Sequence, residues 1–146
     1  DIDCNVIVTR TLKELEEIIE KHHSALECAQ LPTLQADAKQ LQMLFTNLID
    51  NALKFHEPIA GKRKVSISAM DQGEHWLFEI KDNGIGIPKE FNEEVLRLFR
   101  RLNPEEYSGI GAGLTIAHKI VQRHDGELMI ESEEGDETSV FFTLKK

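Results

Sequence analysis

Asn47, Asn51 and Lys54 fall on one narrow stripe of a long helix that the sequence predicts from an N-cap at Asp37 to Phe55. At about 100° per residue, Gln40 lies on the same stripe, while Leu41, Leu44, Phe45, Leu48, Ile49 and Ala52 fill the broad arc beside it. Two carboxamides four residues apart and a cation three further on therefore point the same way, at the edge of the apolar arc. Such a set can offer amide oxygens to a hydrated metal and an ammonium to phosphate oxygens. The plainer reading is the wet face of an amphipathic helix. Asn is a poor interior helix residue because its side chain competes for backbone hydrogen bonds, so two within about one turn ask for a reason.

Two glycine-bearing segments carry the same suggestion. Asp82-Asn83-Gly84-Ile85-Gly86-Ile87-Pro88 directly follows a strand, which sets an acid at a strand end before backbone with little side-chain bulk. A carboxylate there can accept a hydrogen bond from an exocyclic amine such as adenine offers, and the glycines let a flat base approach the main chain. An ordinary Asp-Asn-Gly turn has the same sequence. Gly109-Ile110-Gly111-Ala112-Gly113-Leu114 runs into the start of the last helix, where freed amides and the helix N-terminus favour phosphate. Alone it reads equally as a flexible hinge, and it matches neither a Walker A loop nor a Rossmann fingerprint.

The elements that must position these residues follow from hydrophobic spacing. Asn5 to Val8 alternates like a short strand, and Thr9 to Lys21 places Leu12, Leu15, Ile18 and Ile19 at helical intervals. Ala25 to Ala29 reads as a strand ended at Leu31-Pro32. Period-two patterns follow at Val65, Ile67 and Ala69, at Trp76, Phe78 and Ile80, at Leu128 and Ile130, and at Val140, Phe142 and Leu144. Leu114 to His124 reads as a helix ended by Asp125-Gly126. Between them, Asp82 to Ser108 is rich in Gly, Pro and charge and holds one amphipathic stretch, Asn92 to Leu102. The sum is an α/β fold: a two-layer sandwich with a mixed sheet of five to six strands and about three helices on one face.

Composition narrows the function classes. A chain of 146 residues with 40% hydrophobic and 29% charged residues suits one soluble domain, and no apolar run is long enough to cross a bilayer. A net charge of −9 disfavours broad nucleic-acid or anionic-membrane surfaces. Cys4 and Cys28 lack metal-ligand spacing and are too few for a disulfide framework, which fits a reducing cytoplasm. The histidines form no His-Glu-x-x-His unit. Starting at Asp1 without Met, the sequence reads as a boundary inside a longer protein, soluble or membrane-anchored.

In their order, these segments closely resemble the catalytic domains of sensor histidine kinases, members of the ATPase superfamily that includes gyrase, Hsp90 and MutL. Asn47 to Phe55 looks like the family's N box, Asp82 to Pro88 its first glycine box, Leu96 to Leu102 its phenylalanine box, and Gly109 to Leu114 its second glycine box. Leu31 to Phe55 and Tyr107 to Ser132 most resemble cyanobacterial and phytochrome-linked kinases. The resemblance implies a Bergerat fold, a single catalytic domain over 1–146 and a mobile ATP lid over roughly 88–112. It implies ATP and Mg²⁺ as ligands, with Asn51 on the metal and Asn47 and Lys54 near the phosphates. Phe55 would pack beside the nucleotide, and Asp82 would take the adenine amine, with Gly84, Gly86 and Ile87 against the base. Arg101 would reach phosphate or only keep the lid soluble, and Phe99 would anchor the lid. Gly109, Gly111, Gly113 and Leu114 would form the lid hinge and helix start, and Thr138 would add a hydroxyl near adenine.

Three departures from the family pattern are Ile110 for Thr, Ala112 for a larger aliphatic residue, and Glu137 at a glycine position. Altered lid behaviour and lowered activity are the expected consequences. In hydrolytic cousins a Glu stands four residues before the metal-binding Asn. Here that position is Asn47, which cannot serve as a general base. The implied reaction is γ-phosphoryl transfer to a histidine. No histidine in this chain has the phosphoacceptor setting, so that residue is expected on a dimerisation domain of the same full-length protein, with a response regulator downstream and the isolated domain monomeric. A nucleotide-binding module without transfer and a serine kinase of the anti-sigma type are the competing readings.

Overall fold

Alternating apolar residues in three strands and an apolar arc on one helix converge on a single core. Phe78 and Phe142 stack with centroids 4.9 Å apart, and Phe45 from the helix meets both edge-on at 5.8 and 5.7 Å. The computed structural model describes residues 1–21, 24–54, 64–83, 111–132 and 138–146. Its elements are β1 (Ile2–Asp3), α1 (Cys4–Glu14), α2 (Glu16–Lys21), β2 (Ala25–Cys28), β3 (Thr33–Leu34), α3 (Ala38–Lys54), β4 (Lys64–Gln72), β5 (His75–Asp82), α4 (Gly111–Arg123), β6 (Leu128–Ser132) and β7 (Thr138–Lys145).

The main sheet has five strands in the order β2-β4-β5-β7-β6, with β2 parallel to β4 and the other pairs antiparallel. One face carries Val65, Ile67, Phe78, Ile80, Val140, Phe142 and Leu144, all buried under the helices. On the other face, Met70 and Met129 are exposed. This is the expected two-layer α/β sandwich. β1 and β3 form a separate two-stranded ladder.

The N-terminal segment differs from its periodicity. Residues Asn5 to Val8 are not a strand but the start of α1, because the Asp3 carboxylate accepts the Asn5 amide at 2.9 Å as an N-cap. Cys4, Ile7, Val8 and Thr11 are then buried at helical spacing, a pattern that four residues alone cannot separate from alternation. The helix read over Thr9 to Lys21 is interrupted at Leu15. Thr9 and Thr11 hydroxyls bond the carbonyls of Asn5 and Ile7, four residues back, at 2.8 and 2.9 Å, a habit that bends helices.

Helix α4 starts three residues before Leu114 and stops as anticipated. Asp125 N–H reaches Gln122 O at 3.1 Å and Gly126 N–H reaches Val121 O at 2.9 Å, a Schellman closure. Asp125, not the glycine, takes the left-handed conformation (φ 56°). Gly126 is needed for space: a Cβ there would lie 1.7 Å from the carbonyl oxygen of Thr143.

Candidate functional site

Connectivity decides where the carboxamide stripe goes. Parallel neighbours β2 and β4 are joined through α3, so the helix must run back antiparallel to them. Its last turn therefore arrives at the sheet end where β4 begins. In register, Val65 near the start of β4 lies opposite Asp82, the last residue of β5. The C-terminal turn of α3, holding Asn51, and the end of β5, holding Asp82, thus share one end of the sandwich. The helix begins as anticipated, with Asp37 Oδ1 accepting the Gln40 amide at 3.0 Å.

On α3, Asn47 and Asn51 are both half-buried, beside the fully buried Leu48 and Ile49. The Asn51 Nδ2 is buried with no hydrogen-bond partner among the described residues. Asp82 is 6% exposed and has the strand parity of Phe78 and Ile80, so it belongs to the helix-facing side. Thr138, the first residue of β7, is its neighbour on the other flank.

Helix α4 closes on the same end. Its C-terminal end is held at the opposite edge, where Lys145 N–H bonds His124 O at 3.2 Å and His75 Nε2 lies 2.9 Å from Asp125 O. Its first turn, Gly111 to Gly113, is therefore directed toward the Asp82 end. The negative end of the α3 dipole and the positive end of the α4 dipole face the same region, a pairing suited to a cation bound to phosphate.

Of the residues proposed from sequence, Asn47, Asn51 and Asp82 are placed with their side chains. Lys54, Gly111, Gly113, Leu114 and Thr138 are placed by backbone within α3, α4 and β7. Phe55, Gly84, Gly86, Ile87, Phe99, Arg101, Gly109, Ile110 and Glu137 lie outside the described residues, as does most of the 88–112 lid. Residues 111 and 112, assigned to that lid, are already helical.

Among the described residues, no group of three His, Cys, Asp or Glu side chains could hold a metal. The fit to Mg²⁺ rests on donor chemistry: the Asn51 carboxamide carries an oxygen suited to a hard cation, and its buried Nδ2 has no hydrogen-bond partner among the described residues, so no bond to the protein fixes that end of the amide. One protein carboxamide completed by phosphate oxygens and water is an ordinary way to hold Mg²⁺. A hollow of about 230 Å³ at this end is lined by Glu27, Lys64, Ser66, Lys81, Asp82 and Asn83. Ser66 and Lys81 alternate with the core positions, so the hollow opens mainly on the helix-free face. His118 on α4 is pushed to a lower pKa by burial and stays neutral near pH 7. Sequence reasoning passed over Asn83, whose position inside an Asp-Asn-Gly turn was the available signal.

The model of the histidine kinase-, DNA gyrase B- and HSP90-like ATPase family matches residues 36–146. Phytochrome-like protein Cph1 of Synechocystis is 36% identical over 97% of this chain, which covers 19% of that protein. Sensor histidine kinase WalK of Bacillus subtilis is 36% identical over 76% of this chain and 18% of its own length. The chain spans about a fifth or less of the length of these and other phytochrome-type relatives. The catalytic domain of histidine kinase ThkA superposes with a TM-score of 0.80 at 21% identity, covering 99% of this chain and 93% of that one, a likeness of fold. Among the described residues no helix is long and apolar enough to cross a membrane.

Proposed function

The chain belongs to the histidine kinase-, DNA gyrase B- and HSP90-like ATPases, and from that premise we propose that it is the ATP-binding catalytic domain of a sensor histidine kinase. The observation that carries the reading is the meeting, at one sheet end, of the Asn47 and Asn51 stripe with the buried Asp82 carboxylate. Asp82 accepts the adenine amine, and the start of α4 receives the phosphates. Asn51 would hold the Mg²⁺ that accompanies the phosphates, and Asn47 and Lys54 would serve the phosphate oxygens. The chemistry that Mg²⁺ supplies when bound is neutralisation of the charge on those oxygens.

Asn47 carries an amide where a hydrolytic base would stand, so activation of water is disfavoured and transfer to a better nucleophile is favoured. An imidazole nitrogen attacks the γ-phosphorus, the bond from that phosphorus to the β,γ-bridging oxygen breaks, and ADP leaves with the electron pair. The acceptor histidine lies on a separate dimerisation domain of the same protein, a response regulator receives the phosphoryl group, and the domain works in the cytoplasm.

Calorimetry of Mg-ATP binding tests the site: Asn51→Ala and Asp82→Ala should each weaken binding by roughly tenfold or more. Unchanged binding in both overturns the assignment. Incubation with γ-labelled ATP and the protein's dimerisation domain tests the reaction. Acid-labile label on histidine is expected, whereas acid-stable label indicates a serine kinase and no label a binding module.

A further inference from the structure

Asp82 can discriminate a purine amine from a carbonyl only if the end of β5 is held still, yet this is where the chain must leave the sheet. Beyond Val65↔Asp82, the next opposed pair is Lys64 and Asn83. In a regular antiparallel ladder such a pair exchanges two main-chain hydrogen bonds. Here Asn83 N–H donates to Lys64 O at 3.2 Å, but Lys64 N–H donates to the Asn83 side-chain Oδ1 at 2.6 Å. The carboxamide stands where the main-chain carbonyl would, a substitution that short Asn side chains make readily.

Lys64 is itself part of the sheet. It pairs with Ala25 of β2 on its other side, and its Nζ lies 3.2 Å from Glu27. Asn83 thus extends the grip of two strands one residue past Asp82. Its side chain takes over the sheet's hydrogen bond at the position where the following glycine segment begins.

We propose that Asn83 is a positioning residue for nucleotide specificity: through its Lys64 bracket it fixes the Asp82 carboxylate so that an amino-purine is preferred over an oxo-purine. This rests on the assignment of Asp82 to the adenine amine. The bracket acts on the strand end that carries Asp82, so its effect should appear in base selectivity and not in phosphate binding.

The test compares Mg-ATP with Mg-ITP, which has a carbonyl in place of the amine, by calorimetry on the 146-residue chain. The wild type should favour ATP by roughly tenfold or more, and Asp82→Ala should bring the ratio near one. Asn83→Ala should lower the ratio by roughly threefold to tenfold, and Asn83→Asp, which retains the oxygen, should return it to within about twofold of wild type at pH 8. Any uniform effect of the added charge on phosphate binding cancels in the ratio. Circular dichroism checks folding, and Asn83→Ser replaces the alanine variant if that variant does not fold. Amide exchange by NMR gives a second readout: Lys64 N–H should exchange faster in Asn83→Ala while Ile67 does not. A wild-type ratio in Asn83→Ala, or an Asn83→Asp no better than Asn83→Ala, overturns the proposal. A wild type with no preference, or Asp82→Ala that keeps it, overturns the Asp82 assignment and the proposal together.

Discussion

At the sheet end where β5 begins, polar groups are tied to one another. Lys146 Nζ bonds Asp71 Oδ1 at 2.6 Å and lies 4.9 Å from the Trp76 ring centroid, while its N–H bonds Glu74 O at 3.0 Å. Gly126 packs directly beneath the Thr143 carbonyl. At the end where β5 finishes, a carboxylate is buried to 6% exposure and the Asn51 amide terminus has no partner among the described residues. The first end is joined by contacts of its own, and the second holds, at Asn51, an amide terminus that a ligand can complete. Stability and binding should therefore respond to mutation at opposite ends.

The largest effect should come from the shared core. Phe142→Ala is expected to cost about 3–5 kcal/mol in urea unfolding, since it removes a ring stacked on Phe78 and abutting Phe45. Next, at the first end, Gly126→Ala drives a methyl into the Thr143 carbonyl and should cost roughly 1–3 kcal/mol, with Mg-ATP affinity of the folded fraction unchanged. At the second end, Asp82→Asn should do the reverse, changing stability by less than about 1 kcal/mol while weakening Mg-ATP binding. A stability loss as large as that of Phe142→Ala would show that Asp82 is structural. The smallest effect belongs to Asp71, held below its ordinary carboxylate range by the Lys146 hydrogen bond first and the Gly73 amide second. A lowered folded-state pKa means that its contribution is present above 3.8 and is lost as pH falls through the shifted value. Asp71→Asn should therefore flatten the acid limb of the thermal midpoint slightly, and added salt should shrink the difference because the pair is exposed.

The sheet was legible because its strands are long enough for alternation to be unambiguous: Val65 to Ala69, Trp76 to Ile80 and Val140 to Leu144 all keep their parity. The N-terminus was not, because Asn5 to Val8 spans barely one helical turn. Its state is decided at long range, by Asn5 Nδ2 donating to Leu31 O and Oδ1 accepting Leu31 N–H, both at 2.8 Å. The two-residue strands β1 and β3 exist only through their pairing and leave no periodic trace. In the candidate site, Asn47 and Asn51 stood out through their cost to a helix interior, and Asp82 through its place at a strand end before glycines. Asn83 left only the weak signal of an Asp-Asn-Gly sequence, because its bond partner Lys64 is nineteen positions away.

The two cysteines offer a practical consequence. Cys4 is fully buried, and its thiol is pushed up to about 12 by burial and then by the Asp3 charge. Cys28 is exposed on the edge strand β2, its thiol raised by partial burial. A maleimide dye should therefore mark the native chain once, at Cys28, more slowly than a free thiol, and a second time only after unfolding. That gives a fluorescent address on the strand that clamps Lys64, installed without engineering a single residue.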